Sequence, residues 1–250
     1  MAGSEYRRFE GKTALISNGA SAIGKAVTLR LAQEGASVMV ADADLAAAEA
    51  VAKSAGARAR AIHLNVASVE SWERALAETV NALQRLDVLV SIATATYAAP
   101  TAIADTTLEQ FRAVTTPNLE GAFLGLRYGV VKMRELGHGG AVVNIASAFA
   151  TVGLAGHAAY NATANGVRMM TKAAALSCAE AKDNIRINAV QVGPMADAPE
   201  SMLMPAGLTV PLGKRGTVQD IAAATAYLAS DDAGYITGYI LPVDGGLLAA

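Results

Sequence analysis

The 250-residue chain has one cysteine, Cys178. A single thiol excludes an internal disulfide and points to a reducing, cytoplasmic compartment. Lying among small residues, it reads as a buried helix position rather than a nucleophile. Charge is also scarce: Asp, Glu, Lys and Arg make up 17% of the chain and the formal net charge is −2, so no basic patch points to nucleic acid or an anionic membrane. Of the three histidines, His63 and His138 have no cysteine or carboxylate companions at ligand spacing, so no metal site is expected. The first residues lack the apolar segment of a secretory signal. Residues 139–167 hold no Lys, Arg, Asp or Glu and could span a bilayer by length, but Asn144, Ser147, Asn161, Asn165 and several glycines argue against a membrane helix.

What the chain does have is alternation. Apolar runs at 12–17, 37–42, 61–64, 88–90, 141–147, 185–190 and 239–241 read as buried strands. Between them lie helical stretches with their own start signals. Asp44 and Ser68 stand as caps, Thr107–Gln110 forms a capping box, and Thr217 to Asp220 opens the last helix. Gly35 closes the first helix, and Pro117 must interrupt the long helix that begins after Thr107. His157 marks the start of the helix that carries Tyr160. Strands and helices at this spacing form right-handed βαβ units. The expected fold is α/β, a doubly wound parallel sheet of about seven strands, Rossmann-like, with helices on both faces and one domain over residues 1–250. Residues 193–211, with four prolines, read as a loop.

Ser147 closes one strand, and Tyr160 lies thirteen positions later in the first turn of the next helix. With Asn118, and with local wording such as Asn118-Leu119-Glu120-Gly121, Ile187-Asn188-Ala189-Val190 and Val243-Asp244-Gly245-Gly246, the chain resembles the short-chain dehydrogenase/reductase family from Lys12 to Gly246. The resemblance implies a nicotinamide-binding sheet and a catalytic set of Asn, Ser, Tyr and Lys. Asn118, Ser147 and Tyr160 match three of the four. The lysine four residues after the tyrosine is Ala164. In the family that ammonium lowers the phenol's pKa and holds the nicotinamide ribose. An unassisted tyrosine has a pKa of about 10, leaving roughly one molecule in a thousand as phenolate at neutral pH.

The resemblance also locates departures along the cofactor groove. The family's three turn glycines read Asn18, Ala22 and Gly24. Asn18 tolerates a left-handed backbone, whereas the Ala22 methyl stands where a pyrophosphate approaches. Thr94 replaces a glycine after the fourth strand, Asn65 an acidic residue after the third, and Val192 the proline before Gly193. Asp42 keeps the family's acceptor for the ribose hydroxyls of NAD. These changes converge on one groove, so the expectation is a vestigial site at Gly24 and Asp42 with no cofactor in this chain, or NAD if any.

Three readings follow. The favoured one is a non-catalytic subunit that assembles, as a tetramer, with an active paralogue or with itself, through residues 119–136, 157–181 and 217–243. The family includes heteromeric dehydrogenases, the hydroxyacyl-CoA dehydrogenase of anaerobic benzylsuccinate degradation among them, in which one subunit type has lost its site. The second is a cofactor-independent isomerase, dehydratase, cyclase or lyase using Ser147 and Tyr160 on a small-molecule substrate. The third is a weak NAD-dependent oxidoreductase.

Overall fold

A computed structural model describes residues 7–93, 100–196 and 209–249. The order of elements is β1 (Thr13–Ser17), α1 (Ala22–Gln33), β2 (Ser37–Asp42), α2 (Leu45–Ala55), β3 (Ala59–His63), α3 (Val69–Leu83), β4 (Val88–Ile92), α4 (Leu108–Thr115), α5 (Gly121–Leu136), β5 (Gly140–Ser147), α6 (Ala158–Ala181), β6 (Ile185–Val192), α7 (Val218–Ala229) and β7 (Ile240–Val243). Among the described residues, seven strands form one parallel sheet in the order β3-β2-β1-β4-β5-β6-β7. The expected α/β architecture is therefore the observed one.

The order follows from the sequence pattern. Strands such as β1 and β4 are buried along their whole length, so each needs a helical layer on both faces. One layer packs Val27, Leu31, Ile221 and Leu228 against Ile16, Val90 and Val143. The other packs Trp72, Leu76, Met133 and Cys178 against Leu15, Leu89 and Ile187. A fully buried side chain of this size contributes about 1.5–3 kcal/mol, so the two layers hold the sheet without a cross-link. Burial pushes the Cys178 thiol pKa up, with the Asp183 charge adding to it, as befits an inert core residue.

Local signals set the helix ends. The side chains of Ser68, Asp44 and Thr107 accept from the backbone N–H three residues on, and Thr107–Gln110 is a complete capping box, as is Thr217 with Asp220. Gly35 follows the end of α1 with φ of 105°. Pro117 has no N–H to continue the ladder, and the chain widens into a π turn over Thr116–Glu120 before α5. His157 occupies the cap position of α6 but makes no side-chain capping bond. β6 runs two residues beyond the expected strand, to Val192.

Candidate active site

All strands run the same way, so their carboxyl ends deliver polar residues to one edge of the sheet. Ser147 is the last residue of β5. Its Oγ accepts the Phe149 N–H at 3.2 Å, capping the short 3-10 turn Ala148–Ala150. That bond occupies a lone pair, and the hydroxyl proton stays available for donation. Tyr160, in the first turn of α6, packs into an apolar cluster with Phe149 and Leu247. Asn118 is buried in the break between α4 and α5, where its Nδ2 donates to the Val114 carbonyl at 2.9 Å. The three residues line one small cavity of about 20 Å³ with Ala146, Thr163, Ala164 and Val167. Among the described residues, none that lines it carries a charge. Ala164 is buried, one helical turn past Tyr160, and its methyl group lies at the cavity wall.

The second half of the groove lies where the strand order reverses, between β1 and β4. Asn18 holds φ at 50°, the left-handed turn that leads the chain from β1 into α1. Its Nδ2 lies 3.4 Å from the Ala93 carbonyl, which ties the turn to the end of β4. The Gly19 N–H donates to the Ala41 carbonyl and the Ala20 N–H to Asp42 Oδ2 at 2.9 Å, so the end of β2 fixes the other side. Asp42 Oδ1 accepts the Asp44 N–H at 3.0 Å, and each carboxylate oxygen keeps a lone pair. A Cβ at Gly24 would stand 2.3 Å from the Asn18 carbonyl, so only glycine lets α1 close onto the turn. Ser21 caps α1 through the Gly24 N–H, and Ala22 is exposed at the helix start.

This half fits a dinucleotide. The turn is left-handed, the helix start is open, and a carboxylate ends β2. The other half brings together Asn118, Ser147 and Tyr160 but places an alanine where a ribose-holding ammonium is expected. Thr94 lies outside the described residues, as do residues 197–208 of the loop after Gly193. Asn65 forms a local turn, its Oδ1 accepting the Ala67 N–H. The sequence reading missed Gln191. This buried residue of β6 donates to the Ser147 carbonyl and the Thr151 hydroxyl. A glutamine following Ile185, Ile187 and Ala189 on the odd-numbered positions of the strand was the available signal.

The comparisons with known proteins agree with this geometry. A family model described as enoyl-(acyl carrier protein) reductase matches residues 19–248. The chain is 36% identical to 2,5-dichloro-2,5-cyclohexadiene-1,4-diol dehydrogenase LinX of Sphingobium indicum, over 96% of this chain and 97% of that protein. It is 33% identical to an NADP-dependent (R)-specific alcohol dehydrogenase of Lentilactobacillus kefiri, over 97% and 98%. It is 35% identical to the 3-oxoacyl-(acyl carrier protein) reductase FabG of Thermotoga maritima, over 96% and 99%.

These findings overturn the favoured expectation of a non-catalytic subunit built around an active paralogue. Relatives at 33–36% identity over nearly the full length are dehydrogenases and reductases. The reading that the groove takes no cofactor finds no support in the geometry either, since Asn18 makes the left-handed turn. The physical reason is that the groove's shape is made by backbone, which Asn18 and Gly24 preserve. Among the described residues, no helix is long and apolar enough to cross a membrane.

Proposed function

The chain belongs to the short-chain dehydrogenase/reductase family, and on that premise we propose that it reduces a small, largely apolar ketone to the secondary alcohol with a nicotinamide dinucleotide. The observation that carries the reading is the placement of Ser147 and Tyr160 on one cavity at the carboxyl edge of the sheet, beside the β1–α1 turn. A bound reduced nicotinamide supplies a hydride for the carbonyl carbon. The Ser147 hydroxyl donates a hydrogen bond to the carbonyl oxygen and keeps its proton, while its own oxygen accepts the Phe149 N–H. Tyr160 then gives its phenolic proton to the developing alkoxide. Tyr160 packs with Phe149, Leu154 and Leu247 in an apolar cluster, and Ala146, Ala164 and Val167 line the cavity itself, surroundings that suit a ketone with a hydrocarbon substituent.

Ala164 gives this chemistry a direction. Oxidation of an alcohol asks the phenol to start as phenolate, the state that a lysine ammonium favours and alanine does not. Reduction asks only that the phenol donate, and an ordinary phenol is protonated at neutral pH. Carbonyl reduction is therefore the direction to which the residues are suited. Asp42 at the end of β2 favours NADH over NADPH, because its carboxylate accepts from ribose hydroxyls and repels a 2′-phosphate. The Asn18 turn, the start of α1 and Asp42 would hold the adenosine end.

The test is titration of the purified protein with NADH and NADPH by calorimetry, followed by ketone reduction read as loss of reduced-nicotinamide absorbance. The expected result is NADH binding in the micromolar range and reduction faster than alcohol oxidation at neutral pH. Absence of binding by either nucleotide at millimolar concentration, with no turnover of aryl or cyclic ketones, would overturn the reading.

A further inference from the structure

Odd-numbered residues of β6 face α6: Ile185 and Ile187 pack there with Ala175 and Cys178. Gln191 continues the same face, is 3% exposed, and takes a place where a leucine would follow the pattern. An amide in such a place costs free energy unless its hydrogen bonds are made. Here they are made, and both go to one turn. Gln191 Nε2 lies 3.2 Å from the Ser147 carbonyl and 3.0 Å from Thr151 Oγ1.

Those two acceptors bracket the 3-10 turn Ala148–Ala150. Within the bracket the Phe149 N–H reaches Ser147 Oγ and the Thr151 N–H reaches the Ala148 carbonyl at 3.0 Å. The neighbouring strand thus pins both ends of the turn that aims the serine hydroxyl. The ladder sets the distance, because Ala146 is paired with Gln191 and Ser147 with Val192. We propose that Gln191, through the Ser147 carbonyl and Thr151, is the positioning residue for Ser147, holding its hydroxyl where it can donate a hydrogen bond to a substrate carbonyl. The proposal rests on the role given to Ser147 above and adds a residue that never touches substrate.

Three variants test it: Gln191→Leu keeps the volume and removes both donated bonds, Thr151→Val removes one acceptor at an exposed position, and Thr151→Ser keeps it. The measurements are kcat and KM for ketone reduction, the NADH dissociation constant, and hydrogen exchange at the Phe149 and Thr151 amides.

Gln191→Leu is expected to lower kcat about tenfold or more and Thr151→Val about threefold, with KM and NADH affinity within about twofold of wild type. Exchange at both amides should quicken in the same order, and Thr151→Ser should behave as wild type. Unchanged kcat in the first two variants overturns the proposal, as does a fall in kcat without faster exchange. Should the wild type turn over no ketone, faster exchange in both variants still supports the positioning role, and the failure belongs to the reductase reading alone.

Discussion

The two halves of the groove have changed in opposite ways. At the β1–α1 turn the glycine pattern is altered, yet the backbone is kept: Asn18 adopts the left-handed turn and Asp42 clamps the Ala20 N–H. At the β5–α6 end the hydroxyl residues are kept, yet the cationic position has become Ala164, buried against a cavity lined by uncharged residues. A binding surface made of backbone N–H groups survives changes of side chain that leave φ and ψ alone. A site that relies on one side chain's charge does not survive its removal. The first half therefore keeps a backbone shape that fits a dinucleotide, and the second keeps two hydroxyl side chains without an ammonium beside them.

The largest effect should come from the hydroxyl half. Tyr160→Phe removes the proton donor and is expected to lower ketone reduction by about a hundredfold or more, the usual scale for a general acid, while the NADH dissociation constant stays within about twofold. Equal loss of binding and turnover would mean that Tyr160 acts on the cofactor and would dissolve the contrast between the halves. Ala164→Lys runs the comparison backwards. A cation beside the phenol should raise alcohol oxidation at neutral pH by about tenfold, one pKa unit of phenolate, and reduction by much less. The cavity of about 20 Å³ is small for the new side chain, so a stability loss of about 1–3 kcal/mol is expected with it. A gain of the same size in both directions would show that the lysine acts by holding the ribose alone.

Much of the fold was legible because its signals are local. Thr107 with Gln110, Thr217 with Asp220, and the caps at Asp44 and Ser68 each act within one turn, and all stand where the sequence placed them. The site was legible residue by residue but not in its consequence. Letters at 22 and 164 read as damage, and Asn18 as a residue able to hold a left-handed turn; that the turn is in fact made is a backbone property seen only in the structure. Gln191 escaped for a different reason. Its partners lie 44 and 40 residues away along the chain, and a glutamine after Ala189 and Val190 looks like a strand's end until the neighbouring strand is in place.

Asp42 sharpens the adenosine half at a smaller scale. Asp42→Asn keeps an oxygen for the Ala20 N–H, and removes the charge together with the acceptor for the Asp44 N–H. NADH affinity is expected to fall about fivefold, a charge-assisted hydrogen bond becoming an ordinary one, and the discrimination against NADPH should largely disappear. Calorimetric titration with both nucleotides measures each quantity. Unchanged preference would place the choice of cofactor at some other residue of the groove.

The smallest effect separates the halves by what holds them in place. Helix α1 ends on Glu34, whose side chain is fully buried and accepts from Arg8 at 2.6 and 2.8 Å and from Arg30. Burial pushes this carboxylate's pKa up, but the hydrogen bonds and charges of the two arginines outweigh it and hold the group below its ordinary 4.5. A lowered folded pKa contributes stability that is present above the unfolded value and lost as pH falls through the folded one. Helix α6 is tied to β5 by neutral bonds such as Asn144 Nδ2 to Thr171 Oγ1 at 2.8 Å. Below about pH 4 the α1 amides should therefore lose hydrogen-exchange protection before those of α6, and NADH affinity should weaken while the Ser147 turn stays protected. Loss of protection in step at both ends would mean that acid acts on the sheet as a whole rather than on the anchor of one half.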